Sequence, residues 1–381
     1  MPSRHAGDHL TRLGLHAETG NETRKEDSLR GTATPISVIV PVRNGSSHLP
    51  RCLEAVGRSE YSDFEVIVVD DCSTDATPQI AARYGARYVR TPQKMGPGGA
   101  RNLGARHAEG GILVFVDADV VLPSDGLRLI AEDFCRDPEL AAVFGSYDNE
   151  PAWTSFISQY KNLMHHYVHQ TSSERATTFW AGCGAMRKTV FEQFGGFNGV
   201  KYTAPSIEDI ALGLELSRHG RSIRLDKRLQ VKHLKRWTFR NVLRADIFYR
   251  AVPWTNLILN SRHLPRDLNL NYASRASSLL VGLLTCTCIL LPLTFGGLIR
   301  VPPVSLFVST AAICVLLLVL NRDVYRFFLR KRGWWFGARA VFAHWFYYLY
   351  SGATFFVCIV IHFVQLPFSS ARKESIQSHQ Q

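Results

Sequence analysis

Between Pro35 and Leu122 the chain alternates short apolar runs with amphipathic stretches. Four runs, "PISVIVPV", "FEVIVVD", "ARYVRT" and "GILVFV", are rich in β-branched residues and end in polar turns, as buried strands do. Helical stretches lie between them: one around Leu49 to Arg58, one after Ser73 or Thr74 as an N-cap, and one opened by the glycine-rich "GPGGARNLGARHAEG". Strands alternating with helices predict an α/β fold, a mostly parallel sheet with helices on both faces. In such sheets a ligand sits beyond the carboxyl ends of the strands.

The apolar pattern changes towards the C-terminus. Ala276–Ile299, Val301–Asn321 and Ala340–Ala371 carry almost no charge and are each long enough to cross a bilayer as a helix, with spans expected at about 277–299, 303–321 and 340–366. Before them, Phe239 to Asn260 places Arg240, Arg244 and Arg250 among Phe239, Leu243, Ile247, Phe248 and Trp254, which predicts an amphipathic helix on a membrane surface, stopped by Pro253. The resulting division is a polar, disordered tail over 1–34, a folded domain over 35–237, an interfacial segment over 238–275, a membrane region over 276–371 and a tail over 372–381.

Charge refines this division. The net charge of +12 is compatible with nucleic acid or with an anionic membrane, and its position decides. Arg322, Arg326, Arg330, Lys331, Arg332 and Arg339 crowd between the second and third spans, so the positive-inside rule puts that loop, and the domain before Ala276, in the cytoplasm, at the inner (plasma) membrane. Trp334 and Trp335 suit the headgroup level. No interleaving of basic and aromatic residues points to nucleic acid in the folded domain. Eight cysteines without a C-x-x-C pair fit reduced, packed thiols and neither a disulfide framework nor a zinc site.

The strand ends carry the candidate chemistry. "VVDD" ends in Asp70 and Asp71, and "VFVDADV" holds Asp117 and Asp119 one residue apart, a repulsive pair that calls for a cation. Carboxylates so placed can hold a hard divalent ion that also takes phosphate oxygens, or can form a solvated turn. The glycine-rich loop has Arg101 where a dinucleotide fingerprint needs glycine, and no P-loop is present. "PSIEDIALGLELSRHG" opens a helix with Glu208 and Asp209 in its first turn, a position that favours acids and also suits a general base. "VKHLKRWTF" sets Lys232, His233, Lys235 and Arg236 beside Trp237, which suits a diphosphate with a stacked ring or a basic patch beside a membrane.

Taken in order, "VIVPVRN", "VVDDCSTD", "GPGGARNLG", "VFVDADV", "FWAGCGAMRK", "IEDIALGLEL" and "HLKRW" resemble the family-2 glycosyltransferases of GT-A fold, over about Pro35 to Trp237, and the trailing spans resemble the membrane-bound members. The resemblance implies a nucleoside diphosphate sugar donor, with a bias to uridine, and Mg²⁺ or Mn²⁺ as cofactor. It implies that Pro41, Arg43, Asn44, Asp70, Asp71, Arg101, Asp117 and Arg236 bind the donor and that Asp119 ligates the metal. It also implies that Asp209 is the base and that Gly182, Cys183, Gly184, Glu208 and Trp237 border the acceptor. Glycines there would let a sugar approach the backbone. His233 replaces the glutamine of the family's Q-x-x-R-W element, which speaks against a processive synthase. The expected activity is a single, inverting transfer to a lipid or lipid-linked acceptor. A processive polysaccharide synthase, for which an oligomer could supply further spans, a nucleotidyltransferase and a non-catalytic membrane scaffold are the alternatives.

Overall fold

In a computed structural model of the chain, residues 34–261 and 272–378 are described; the expected tail over 1–33, residues 262–271 of the interfacial segment and residues 379–381 lie outside them. The elements run β1 (Ile36–Val42), α1 (Leu49–Gly57), β2 (Phe64–Asp70), α2 (Thr77–Arg83), β3 (Arg87–Arg90), α3 (Gly96–His107), β4 (Ile112–Val116), β5 (Val120–Val121), α4 (Gly126–Arg136), β6 (Leu140–Tyr147), α5 (Phe156–Thr171), β7 (Arg175–Ala176), β8 (Cys183–Arg187), α6 (Lys188–Gln193), α7 (Glu208–Arg218) and β9 (Ser222–His233). Then come α8 (Phe239–Asp246), a π-helical turn (Ile247–Ala251), α9 (Val252–Ser261), α10 (Tyr272–Phe295), α11 (Pro303–Leu320) and α12 (Arg322–Ser378).

The strands form one sheet in the order β3-β2-β1-β4-β8-β6-β9-β5, with β7 added beside β9. Its first half is parallel, as the strand–helix alternation implies. Its second half is mixed, because β8 runs antiparallel to both neighbours, β4 and β6. The sheet is therefore less parallel than expected. The strand inserted at its centre, "CGAMR", holds two of the residues, Cys183 and Gly184, that the resemblance sets at the acceptor. Both faces are covered. Alternate residues of β1 and β4 pack on α1 and α4 through Val38, Val40, Leu53, Val114, Leu127 and Ile130. The opposite faces of these strands meet α3, α6 and α7 through Ile39, Phe115, Ala105, Phe191, Leu212 and Leu216.

The connection to the membrane helices differs from the expectation in two places. Pro253 does not stop the amphipathic helix. The chain passes through a π turn into α9, which carries Pro253 in its first turn. The basic stretch after α11 is helical too. Helix α12 contains Gly333 at φ 79°, ψ 179°, a break between two arms. The arms fold together: Trp345 Nε1 donates to the hydroxyl of Tyr325, and Phe328 packs between Tyr160 of α5 and Phe336. The first arm thus docks against α5, with Tyr160, Leu163, Val324, Tyr325 and Phe328 all buried. Trp334 and Trp335 stand exposed just after the break. Among the described residues three helices are long and apolar enough to cross a membrane, Tyr272–Phe295, Pro303–Leu320 and the stretch Arg322–Val364.

Helix α7 approaches the sheet through a glycine. A Cβ on Gly213 would lie 2.2 Å from the backbone nitrogen of Phe179, so the helix sits on the 178–179 backbone itself. Alanine gains about 1 kcal/mol over glycine inside a helix, but overpacking against rigid backbone costs about 1–3 kcal/mol, and here there is no flexible neighbour to yield. Gly213→Ala is expected to lower the thermal unfolding midpoint; an unchanged or raised midpoint would show that the contact is soft.

Candidate active site

The two acids of "DAD" leave the sheet at the end of β4, and the cation they call for is Arg101 on α3. Its guanidinium is almost fully buried, with Nη2 donating to Asp117 Oδ1 at 2.6 Å and Nη1 donating to Glu208 Oε1 at 3.0 Å. The backbone sets this up. Asp71 is buried; its Oδ1 accepts from the Met95 N–H at 2.7 Å and its Oδ2 from the Gly96 N–H at 2.9 Å, so it clamps the start of α3. Gly96 is at φ 73°, and a Cβ there would strike the carbonyl oxygen of Thr203 at 2.3 Å, which ties the same helix start to the loop before α7. Arg101 lies on the second turn of α3, and Glu208 lies at the start of α7.

Asp209, the next residue, is partly exposed. Its Oδ2 accepts from the Ala181 N–H at 2.9 Å and its Oδ1 from its neighbour's Ile210 N–H at 2.8 Å. Burial and the adjacent charge of Glu208 push its carboxyl up to about 6, against the pull of those N–H groups and of Arg101. Asp119 is the opposite case. Burial would raise it, but His233, with Lys235 and His48 behind it, holds it down at about 2, and His233 Nε2 lies 3.7 Å from its Oδ2. Asp117 is raised by burial and by Asp119, in spite of Arg101. One carboxylate is thus fixed as an anion and another is poised near neutrality in the same cluster, the separation that distinguishes an ion ligand from a base.

Several residues expected at the site have structural partners instead. Asp70 is fully buried and accepts from the Ser73 N–H at 2.7 Å and the Tyr88 hydroxyl at 2.6 Å, and Asp71 holds α3 as described. Pro41 lies buried within β1. Arg101 pairs with both Glu208 and Asp117, so it and Glu208 are buried structural partners in this structure. Gly182 and Gly184 are explained by their own neighbours: Cβ atoms there would meet the Trp180 ring at 2.5 Å and the Trp180 carbonyl oxygen at 2.5 Å. Cys183 is buried in the core, and burial pushes its thiol up. Trp237 is buried as well, its N–H donating to Ser158 Oγ at 2.9 Å. Ser73, expected as a helix cap, accepts from the Asn44 N–H at 2.8 Å; α2 starts at Thr77, whose N–H donates to Asp75.

What remains open towards solvent is Arg43, Asn44, Asp117, Asp119, Asp209 and Arg236. Asn44 sits at φ 52° and its Oδ1 accepts from the Thr74 N–H at 2.8 Å, pinning the loops after β1 and β2 together; the Arg236 guanidinium stacks 5.2 Å from the Trp153 ring. The sequence reading missed an aromatic wall beside Asp119: Tyr147 stacks on His233 at 4.2 Å and meets His165 at 4.2 Å and Trp180 at 5.0 Å. Trp180 was in view within "FWAGCGAMRK", but nothing in the pattern ties it to Tyr147. It also missed a link from the membrane side. Pro253 has no N–H to offer the Tyr249 carbonyl four residues back, and Ser206 Oγ donates to that carbonyl at 3.0 Å, two residues before Glu208.

Among the described residues no group of three His, Cys, Asp or Glu side chains stands ready to hold a metal. The donor set nevertheless fits Mg²⁺ or Mn²⁺, which are held by one or two carboxylates together with substrate phosphates and seldom by an all-protein cage. Asp119, ionised and about a quarter exposed, is such a ligand, and His233 faces the same space.

The family model "Glycosyl transferase family 2" matches residues 37–195. A poly(ribitol-phosphate) β-N-acetylglucosaminyltransferase of Staphylococcus aureus is 35% identical over 99 residues, 24% of this chain and 17% of that protein. A succinoglycan biosynthesis protein of Rhizobium meliloti is 35% identical over 100 residues, 26% of this chain and 29% of that protein. The chain thus spans less than a third of the length of these relatives. Among solved structures, a mannosyltransferase from Pyrobaculum calidifontis in complex with GDP-mannose and Mn²⁺ superposes with a TM-score of 0.51 at 19% identity, over 76% of this chain and 87% of that one, a likeness of fold.

Removing the guanidinium tests the clamp. Arg101→Met leaves Glu208 buried without its cation and is expected to cost about 3–5 kcal/mol in denaturant unfolding, while adding Glu208→Gln to it recovers part of the loss. Equal stability of Arg101→Met and the parent would remove the clamp from the account. On the match of residues 37–195, the mixed sheet and the carboxylates gathered at its strand ends, the chain carries a family-2 glycosyltransferase domain of GT-A fold.

Proposed function

We propose that the protein transfers a sugar from a nucleoside diphosphate sugar to a hydroxyl of a lipid or lipid-linked acceptor at the cytoplasmic leaflet, with inversion at the anomeric carbon. The observation that carries this reading is the gathering of Asp117 and Glu208 by Arg101, which brings their neighbours Asp119 and Asp209 to one cluster with opposite protonation tendencies.

Asp119, with His233 beside it, would hold the divalent ion. When bound, that ion supplies electrostatic stabilisation of the diphosphate as it leaves. Arg236 and Arg43 are exposed cations and would bind the outer phosphate charge, while Asn44 fixes the loop on which the nucleotide would rest. The uridine preference rests on the sequence resemblance alone. Asp209 would take the proton of the acceptor hydroxyl as that oxygen attacks the anomeric carbon and the glycosyl–phosphate bond breaks; a carboxyl near 6 is basic enough to accept the proton and ionised at neutral pH. One displacement needs no nucleophilic carboxylate on the enzyme.

The lipid acceptor is supported by the build of the membrane side. Asp246 on α8 is buried and takes Lys161 of α5 at 2.6 Å, Arg250 at 3.2 Å and the Tyr350 hydroxyl at 2.7 Å, which joins the catalytic domain, the interfacial helix and the last long helix at one point. Phe239 and Phe248 project from the interfacial helix, and Ser206 connects its π turn to the residues before Asp209. An acceptor hydroxyl presented from the bilayer edge would therefore meet Asp209.

Asp209→Asn is expected to retain donor binding, read by calorimetry, and to lose about 10²–10⁴-fold in turnover. Normal turnover would remove the base assignment. In the parent, kcat/KM rises with pH through about 6, because the raised carboxyl must lose its proton to act, and it levels off above. A profile flat across that range would contradict the assignment. A chelator should abolish turnover and Mg²⁺ or Mn²⁺ restore it; full activity in chelator would sink the metal role.

A further inference from the structure

A second cationic site lies away from the strand ends. A cleft of about 440 Å³ opens between the C-terminal half of α5 and the first arm of α12. Arg326, Arg330 and Lys331 line one wall, against the single carboxylate of Asp323, and the rings of Tyr167 and Phe327, 5.3 Å apart, form the apolar side. Asp323 is engaged with Arg326 at 3.7 Å and with Arg322 at 3.6 Å. Among the described residues, neither Arg330 nor Lys331 has a carboxylate within ion-pair distance. Two unpaired cations held at a concave surface form a receptor for an anion, and a phosphate fits the donors they offer.

Location identifies the source of that phosphate. Helix α11 ends at Leu320, its last turns exposing Leu316, Leu318, Val319 and Leu320 as a lipid-facing helix does. Asp323 follows three residues later, and at about 1.5 Å per residue the cleft wall from 323 to 331 rises about 12 Å from there. The headgroup layer is about 5–7 Å deep on each side of the hydrocarbon. The cleft therefore begins at headgroup depth, with an apolar side for the glycerol and upper acyl chain and a cationic side for the phosphate.

We propose that this cleft binds the phosphate headgroup of an anionic membrane phospholipid, at a site separate from that of sugar transfer. The inference rests on the membrane reading of the apolar helices and not on the identity of the sugar or acceptor. A lipid seated there touches α5, whose His166 and His169 donate to the carbonyls of Tyr147 and Gly145 on β6 and whose Lys161 meets Asp246. It would fasten the catalytic domain to the bilayer through α5.

The test uses the full-length protein in nanodiscs of equal phosphatidylcholine and phosphatidylglycerol, with the lipids retained after release read by native mass spectrometry. The parent is expected to retain phosphatidylglycerol in clear preference. Arg330→Gln should weaken that preference about fivefold, the effect of one basic residue near an anionic surface. Arg322→Gln, one charge removed from the same helix outside the cleft, should leave it intact; Lys331→Gln is the second reporter should Arg330→Gln not fold. Equal retention of both lipids by the parent, or equal effects of Arg330→Gln and Arg322→Gln, would overturn the proposal. Millimolar inorganic phosphate should not displace the lipid; displacement would mark a free-phosphate site and overturn the lipid assignment.

Discussion

The arrangement of the site depends on one buried guanidinium. Leaving Arg101 unpaired in the interior would cost several kcal/mol, so Asp117 and Glu208, 91 residues apart in the chain, must both come to it. Everything that fixes Arg101 fixes them. Asp71 anchors the first turn of α3, the glycine at 96 lets that turn meet Thr203, and the glycine at 213 lets α7 sit directly on the backbone before β8. Asp119 lies two residues beyond the clamped Asp117 and Asp209 adjoins the clamped Glu208, and their surroundings differ in sign: His233 and Lys235 face the first, Glu208 the second.

A similar economy governs the junction with the apolar helices. Three elements converge on Asp246, a buried carboxylate satisfied by Lys161, Arg250 and Tyr350, and burial brings Lys161 down to about 8. The two arms either side of Gly333 pack their aromatic residues on α5, while Ser206 answers the carbonyl left free by Pro253. The folded domain is therefore held against the apolar helices through polar contacts chosen by backbone geometry as well as by apolar burial.

The parallel half of the sheet was legible because β1, β2 and β4 are continuous apolar runs ending in acids, a pattern with few other solutions. The antiparallel half was not. Strand β8 is built from small residues whose strand character comes from its neighbours β4 and β6. The acids were recognised as a set, yet Asp70, Asp71 and Glu208 could not be told from Asp119 and Asp209, since the backbone N–H groups and the arginine that occupy them are remote in sequence or carry no side-chain signal. Glycines 182 and 184 suggested room for a sugar, and the room is taken by Trp180. Pro253 suggested a stop because a proline breaks a regular α-helix; a π turn just before it removes the conflict.

The most direct test of the account is the position of a bound metal relative to the two key carboxylates. A structure of the full chain with a nucleoside diphosphate and Mn²⁺, read by anomalous scattering, should show the ion about 2.1 Å from a carboxylate oxygen of Asp119 and in contact with the diphosphate, with Asp209 unligated across the cleft. An ion bound elsewhere, or one coordinated by Asp209, would contradict it.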